Sequence, residues 1–221
     1  MYFKNRIHAG KVLANAIVDE WRNKRPVVVA VSSGGIPVAY SISKKLNAML
    51  DTIVIKRIGI QQNPKYSIGS IGEDLHIWLN ENQIKALRLN QKEVDQLIAK
   101  SMKDVFRLSK AIRKTIEKID IKGRPIILVD DGISSGATMM VAIKILKSRG
   151  ASSIDVIVPV SSIEGFELVK NEANFVFSAH KPYIFGSIGE WFENYQPVNQ
   201  IRAAHLLKNN NHILNEISSK T

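Results

Sequence analysis

A chain of 221 residues with 45% apolar composition and a mean hydropathy of −0.05 is long enough to bury one full core and polar enough to stay in water. No apolar run reaches the roughly 20 residues that span a bilayer, the start MYFKNR lacks the apolar stretch of a signal peptide, and the absence of cysteine excludes disulfides and thiolate chemistry, so a cytoplasmic protein is expected. The net charge of +11 admits small polyanions, an anionic membrane surface or nucleic acid; the excess is spread, with ten Lys and Arg against three acids in residues 1–60 and ten against five in 91–124. Without a compact basic block, or aromatics interleaved with Lys and Arg, nucleic acid is not the expected partner.

Ile7, Leu13, Ile17 and Trp21 fall at helical spacing, and PVVVAV (26–31) reads as a buried strand. After SSGG, Pro37 opens a helix to about Leu46, and DTIVI (51–55) is a second strand. YSIGSIGEDLHIWL (66–79) reads as a hairpin turning at Gly72, Glu73 and Asp74. Asn90 and Glu93 then form a capping-box-like start to one long helix, 91–119, whose apolar stripe from Val94 to Ile119 is a core or dimer contact. IILVD (126–130), IDVIVPV (154–160) and FVFS (175–178) are further strands, separated by helices at 139–149 and 163–172. The tail 208–221 is polar enough to fray. The expectation is an α/β fold: a parallel sheet with helices on both faces, in a single domain 1–207 that carries the hairpin and long helix as an insertion.

In such sheets ligands bind at the carboxyl ends of the strands, where two small-residue loops fall here. ILVDDGISSGAT (127–138) runs from an apolar strand through Asp130 and Asp131 into Gly132, Ser134, Ser135, Gly136, Ala137 and Thr138, and then into a helix. Paired carboxylates accept hydrogen bonds from a diol, while bare amides at a helix start favour an anion, so a sugar phosphate fits. No Gly-Lys-Ser or Gly-Lys-Thr follows the loop, which excludes a Walker A site. Ser32, Ser33, Gly34 and Gly35 repeat the same logic and offer a second anion nest. The five histidines show no metal-ligand spacing.

The 127–138 loop resembles the phosphoribosyl pyrophosphate loop of the type I phosphoribosyltransferases. The chain as a whole, through SSGGIPVA, GIQQNPKYSIGSI, 91–119 and GSIGEWFENY (186–195), resembles a poorly characterised bacterial and archaeal group within that family. The resemblance implies that Asp130 and Asp131 hold the ribose hydroxyls, with Asp131 reaching a magnesium ion through water, and that Gly132 and Ser134 to Thr138 take the 5-phosphate. It implies that Ser32 to Gly35, with Lys56 and Arg57, take the pyrophosphate. Lys65 stands where a closing lid belongs, and Trp191, Phe192 and Tyr195 are candidates to stack on a base. The implied partners are phosphoribosyl pyrophosphate, Mg2+, an unidentified base and a second copy of the chain in a dimer.

Two positions depart from the family pattern. The loop arginine expected before Gly34 is Ser33, and the aspartate that assists 6-oxopurine bases is Ser134, a side chain that neither gives nor takes a proton near neutral pH. A transferase is the leading expectation. A phosphoribosyl pyrophosphate or nucleotide sensor acting on RNA or DNA is the alternative, and a phosphorylase-like or hydrolytic activity the third.

Overall fold

A computed structural model describes the backbone of residues 2–21, 23–31, 33–60 and 63–218, and the side chains of these except 63–65, 200 and 211–218. Helix α1 (Arg6–Trp21) leads into β1 (Val27–Val31), α2 (Gly35–Leu46) and β2 (Met49–Ile53). An excursion follows: β3 (Ile55–Ile60), β4 (Asn63–Gly72), a single 3-10 turn (Glu73–Leu75), β5 (Ile77–Leu79), α3 (Glu81–Ala86) and α4 (Gln91–Arg113). The chain then resumes the alternation with β6 (Pro125–Val129), α5 (Ala137–Ser148), β7 (Ser153–Val160), α6 (Ile163–Lys170) and β8 (Phe175–His180), and ends in α7 (Gln200–Ser218).

The five strands β2-β1-β6-β7-β8 pair in parallel in that order. Their sequences are continuous apolar runs because both faces are covered. On one face Val28, Ala30, Ile127 and Val129 pack against Leu13, Ile17, Ile36, Ile42 and Leu207 of α1, α2 and α7. On the other, Val27, Val29, Leu128 and Val156 meet Val141, Ile145, Phe166 and Val169 of α5 and α6. From β1 the chain moves outward to β2 on one side and to β6 on the other. The crevice beyond the carboxyl ends of β1 and β6 is therefore the topological switch point, where α/β sheets bind ligands.

The excursion differs from its expected form. The 66–79 hairpin is present as β4 and β5, but β3 adds an antiparallel third strand that propensity assigned partly to the preceding strand: DTIVI is divided between β2 and β3. The long helix stops at Arg113 rather than 119, because Asp51 accepts hydrogen bonds from the Arg113 side chain (2.6 Å) and the Ile119 amide (3.1 Å) and turns the chain toward β6. The apolar stripe of α4 is core: Val94, Val105 and Leu108 pack on Ile58, Ile68 and Ile71 of β3 and β4. The tail expected to fray from 208 is helical to Ser218, anchored where Leu207 is buried and the Asn210 side chain donates to the Ala48 carbonyl (3.0 Å) and accepts from Ser43 (3.0 Å).

Candidate functional site

The register of β1 on β6 pairs Ala30 with Val129, so the loops after both strands emerge side by side. Their contact is close. A Cβ on Gly34 would come within 2.4 Å of Asp131 Oδ2, and one on Gly35 within 2.7 Å of the Val129 carbonyl and 3.1 Å of Asp130 Oδ1. Gly34 has ordinary right-handed helical angles, so these glycines are required by proximity to the acid pair, not by backbone conformation. Gly136, with φ +80°, does need its glycine: its left-handed turn starts α5, whose first-turn amides have no partner within the helix.

A cavity of about 720 Å³ opens over these loops. Its core wall holds Gly34, Asp130, Asp131 and every residue from Gly132 to Thr138, so the whole acid-and-amide loop meets one space. The opposite wall is the excursion: Lys56 and Arg57 on β3, Tyr66, Ser67 and Ser70 on β4, Trp78 on β5, and Asn80 and Gln83 at the start of α3. Ser70 Oγ lies 3.4 Å from Thr138 Oγ1 and joins the two walls.

The two acids are not equivalent. Asp131 is buried, and its Oδ2 accepts from Arg6 Nε at 2.7 Å and Tyr195 Oη at 3.0 Å. The Arg6 guanidinium lies 3.8 Å from the Tyr195 ring centroid and donates through Nη1 to the Gln196 carbonyl at 2.8 Å, so the two ends of the chain clamp one carboxylate. Asp130 accepts its neighbour's amide on Oδ1 at 2.8 Å and lines the cavity. Burial, and then the adjacent Asp131 charge, push the Asp130 carboxyl well above the usual carboxylate range. Burial likewise raises the Tyr195 phenol, reinforced by Asp131, so Tyr195 stays a protonated donor.

Several expected residues converge here and others do not. Asp130, Asp131, Gly132, Ser134, Ser135, Gly136, Ala137, Thr138, Gly34, Lys56 and Arg57 all line the cavity. Ser33 and Gly35 flank it without lining it, while Ser32 and the side chain of Lys65 lie outside the described residues. Trp191 and Phe192 do not face it: Phe192 is 6% exposed and packs on Phe3 (5.6 Å), and Trp191 lies between Tyr2 (5.7 Å) and His180 (4.7 Å). A bridge between Phe3 and Phe192 pins this segment into the core; of the expected trio Trp191, Phe192 and Tyr195, it is Tyr195 that reaches the cavity, which Ile188 and Trp78 also line. Asp131, expected to reach a magnesium ion through water, is paired with Arg6, and that guanidinium disfavours a second cation beside it. Arg6 could not be found from the sequence, since it stands 125 residues from Asp131 with no motif around it; Tyr195 is legible in GSIGEWFENY as a stacking residue, not as the donor to Asp131, 64 residues away.

A family model described as the phosphoribosyl transferase domain matches residues 3–192. The chain belongs to that family. Two Mycobacterium tuberculosis proteins, named provisionally as phosphoribosyl transferases, are each 29% identical over 193 residues, covering 87% of this chain and 43% of theirs; the chain thus spans under half the length of these curated relatives. Among solved structures, the TT1426 protein of Thermus thermophilus superposes with a TM-score of 0.77 at 28% identity over 95% of this chain and 99% of its own. The AQ2163 protein of Aquifex aeolicus, at TM-score 0.50 and 10% identity over 91% and 85%, shares the fold alone.

Proposed function

We propose that the cavity binds phosphoribosyl pyrophosphate and a flat nitrogen base, and that the protein transfers the ribose 5-phosphate to that base with release of pyrophosphate. The observation that carries this reading is the convergence of the acid pair and all of Gly132–Thr138 on one cavity, with the Lys56–Arg57 pair across it. The amides of the loop and of the α5 start suit the 5-phosphate, and the ribose diol donates to Asp130. Lys56 and Arg57 suit the pyrophosphate.

Transfer breaks the C1–O bond, whose electron pair leaves with pyrophosphate, and forms a C1–N bond from the acceptor's lone pair; the acceptor nitrogen then loses its proton. Positive charge grows on the ribose ring between these events. A carboxylate beneath the ring and cations beside the departing oxygens lower that barrier. Among the described residues no group of three or more acids and histidines is placed to hold a metal ion. Asp130 is the one family acid not tied to Arg6, so a magnesium ion would be held mainly by pyrophosphate oxygens and water, with Asp130 as the protein oxygen, and would offset the leaving-group charge. Ser134 lines the cavity as a neutral hydroxyl, which favours an acceptor that sheds its proton without an enzymic aspartate. Trp78 and Tyr195 are the aromatic surfaces such a base meets.

Incubation with phosphoribosyl pyrophosphate, magnesium and a panel of purine, pyrimidine and other heterocyclic bases tests the reading. Pyrophosphate release dependent on one class of base, lost in Asp130→Asn, is the expected outcome; tight binding with no release across the panel overturns it.

A further inference from the structure

The +11 charge forms no compact block in the sequence, but acids are missing from whole segments of it. Residues 1–18, 33–50 and 195–215 contain no Asp or Glu. At the chain's frequency of 20 acids in 221, these 57 residues should carry about five. They supply most of α1, all of α2 and most of α7, which the fold lays beside one another on a single face of the sheet. Lys4, Lys11, Lys44, Lys45, Arg202 and Lys208 are exposed there. None of the six is in a salt bridge among the described residues, whereas Lys24, just beyond the acid-free part of α1, pairs with Glu20 at 3.2 Å.

This face has a groove. A depression of about 590 Å³ runs between α1 and α2, with Lys11 and Asn15 on one wall and Tyr40, Lys44 and Lys45 on the other. The Lys44 ammonium lies 6.0 Å from the half-buried Tyr40 ring. Lysines on both banks of an aromatic-containing groove match a phosphate backbone with bases turned inward. A depression bounded by two adjacent helices has room for one strand rather than for a duplex. No exposed large apolar side chain among the described residues lies on α1 or α2, and α7 adds a single one, Ile201, so the groove itself lacks the apolar stripe that an interfacial membrane helix inserts.

We propose that the acid-free α1–α2–α7 face binds single-stranded nucleic acid, its backbone lying in the groove between Lys11 and the Lys44–Lys45 pair. The proposal stands apart from the transferase reading, because no groove residue lines the catalytic cavity. Fluorescence anisotropy with labelled 12-nucleotide single-stranded RNA and DNA, the matching duplex, and phosphatidylserine vesicles, at 50 and 200 mM salt, tests it. The single strands should bind best and weaken with salt. Lys11→Glu/Lys44→Glu/Lys45→Glu should lose at least about tenfold in affinity and lower the log–log salt slope by about 2. The control Lys92→Glu/Lys100→Glu/Lys110→Glu, with the same charge change on exposed positions of α4, should stay within about twofold and keep its slope. Melting curves check that both variants fold. No binding at 50 mM salt, equal losses in the two variants, or tighter binding of duplex or vesicles than of single strands overturns the proposal.

Discussion

Asp130 and Asp131 are chemically alike and share a peptide bond, yet their surroundings divide their work. Asp131 is paired with Arg6 and hydrogen-bonded by Tyr195, while Asp130 faces the cavity with its carboxyl pushed up by burial and by its neighbour's charge. A carboxyl whose folded pKa lies above its unfolded value of about 3.9 binds more protons in the folded state, so stability falls as pH rises from there through the raised value. Above it the full penalty applies. Asp130→Asn removes that penalty and should raise the melting temperature at pH 7 by a few degrees, for about 1 kcal/mol, while abolishing pyrophosphate release. Paired melts at pH 4 and 7 check it, and a gain that did not grow between them would refute the assignment. Arg6→Met does the opposite: it leaves Asp131 buried without its cation and should destabilise the fold by about 3 kcal/mol in urea melts. The acid pair was legible because its chemistry sits in twelve consecutive residues. The clamp was not, since a tertiary contact spanning 125 residues leaves no local pattern.

At the level of the element, the glycine-rich turns were legible as turns but not for their reason. SSGG reads as an anion nest, yet Gly34 and Gly35 lie against the acid pair, and of these two glycines Gly34 alone touches the cavity. The two positions should therefore respond differently to alanine. At Gly34 the helical angles suit alanine and the clash is with the Asp131 side chain, which can shift without leaving Arg6; the fold should survive with a loss of under about 1.5 kcal/mol, while kcat/KM falls because the shift displaces the adjacent Asp130 in the cavity. At Gly35 the clash is with the Val129 carbonyl, part of the central strand, and the loss should be about 2–3 kcal/mol. Urea melts and steady-state kinetics on both variants separate the cases, and equal behaviour would sink the argument. Helix bounds were less legible than helix existence. The repeat on α4 continues past residue 113, but Asp51 captures Arg113 and ends the helix, and the polar α7 is held through Leu207 and Asn210.

Across the whole molecule, the shape of the cavity depends on how the excursion is held over the parallel sheet, because Lys56 and Arg57 stand on one and Asp130 to Thr138 on the other; under the proposed transfer this alignment sets the catalytic geometry. The excursion has its own apolar core, centred on Ile58, Ile68, Ile71 and Val105, and a polar clamp fastens it to the sheet layer. Glu73, at the β4–β5 turn, accepts from Arg149 at the end of α5 (2.6 Å) and from Ser109 on α4 (2.9 Å), with Arg113 at 3.7 Å; Arg113 in turn grips Asp51 on β2. Arg149 also donates to Asp74 at 2.8 Å, which holds Asp74 and Leu75 at positive φ with Leu75 out in solvent. None of this was visible in a sequence where Lys-Arg-Asp-Glu patterning looks like solvated surface, since only folding brings residues 51, 73, 113 and 149 together. Arg149→Met leaves the buried Glu73 short of its main partner and should cost about 3 kcal/mol. It should also lower kcat/KM for phosphoribosyl pyrophosphate roughly tenfold, because a shift of the excursion misplaces Lys56 and Arg57 against the acid loop. Adding Glu73→Gln removes the stranded charge, so the double variant should be more stable than the two single losses added together predict. Additive losses in a double-mutant cycle would show that Glu73 and Arg149 act separately, and that the alignment of the two walls rests on the apolar contacts alone.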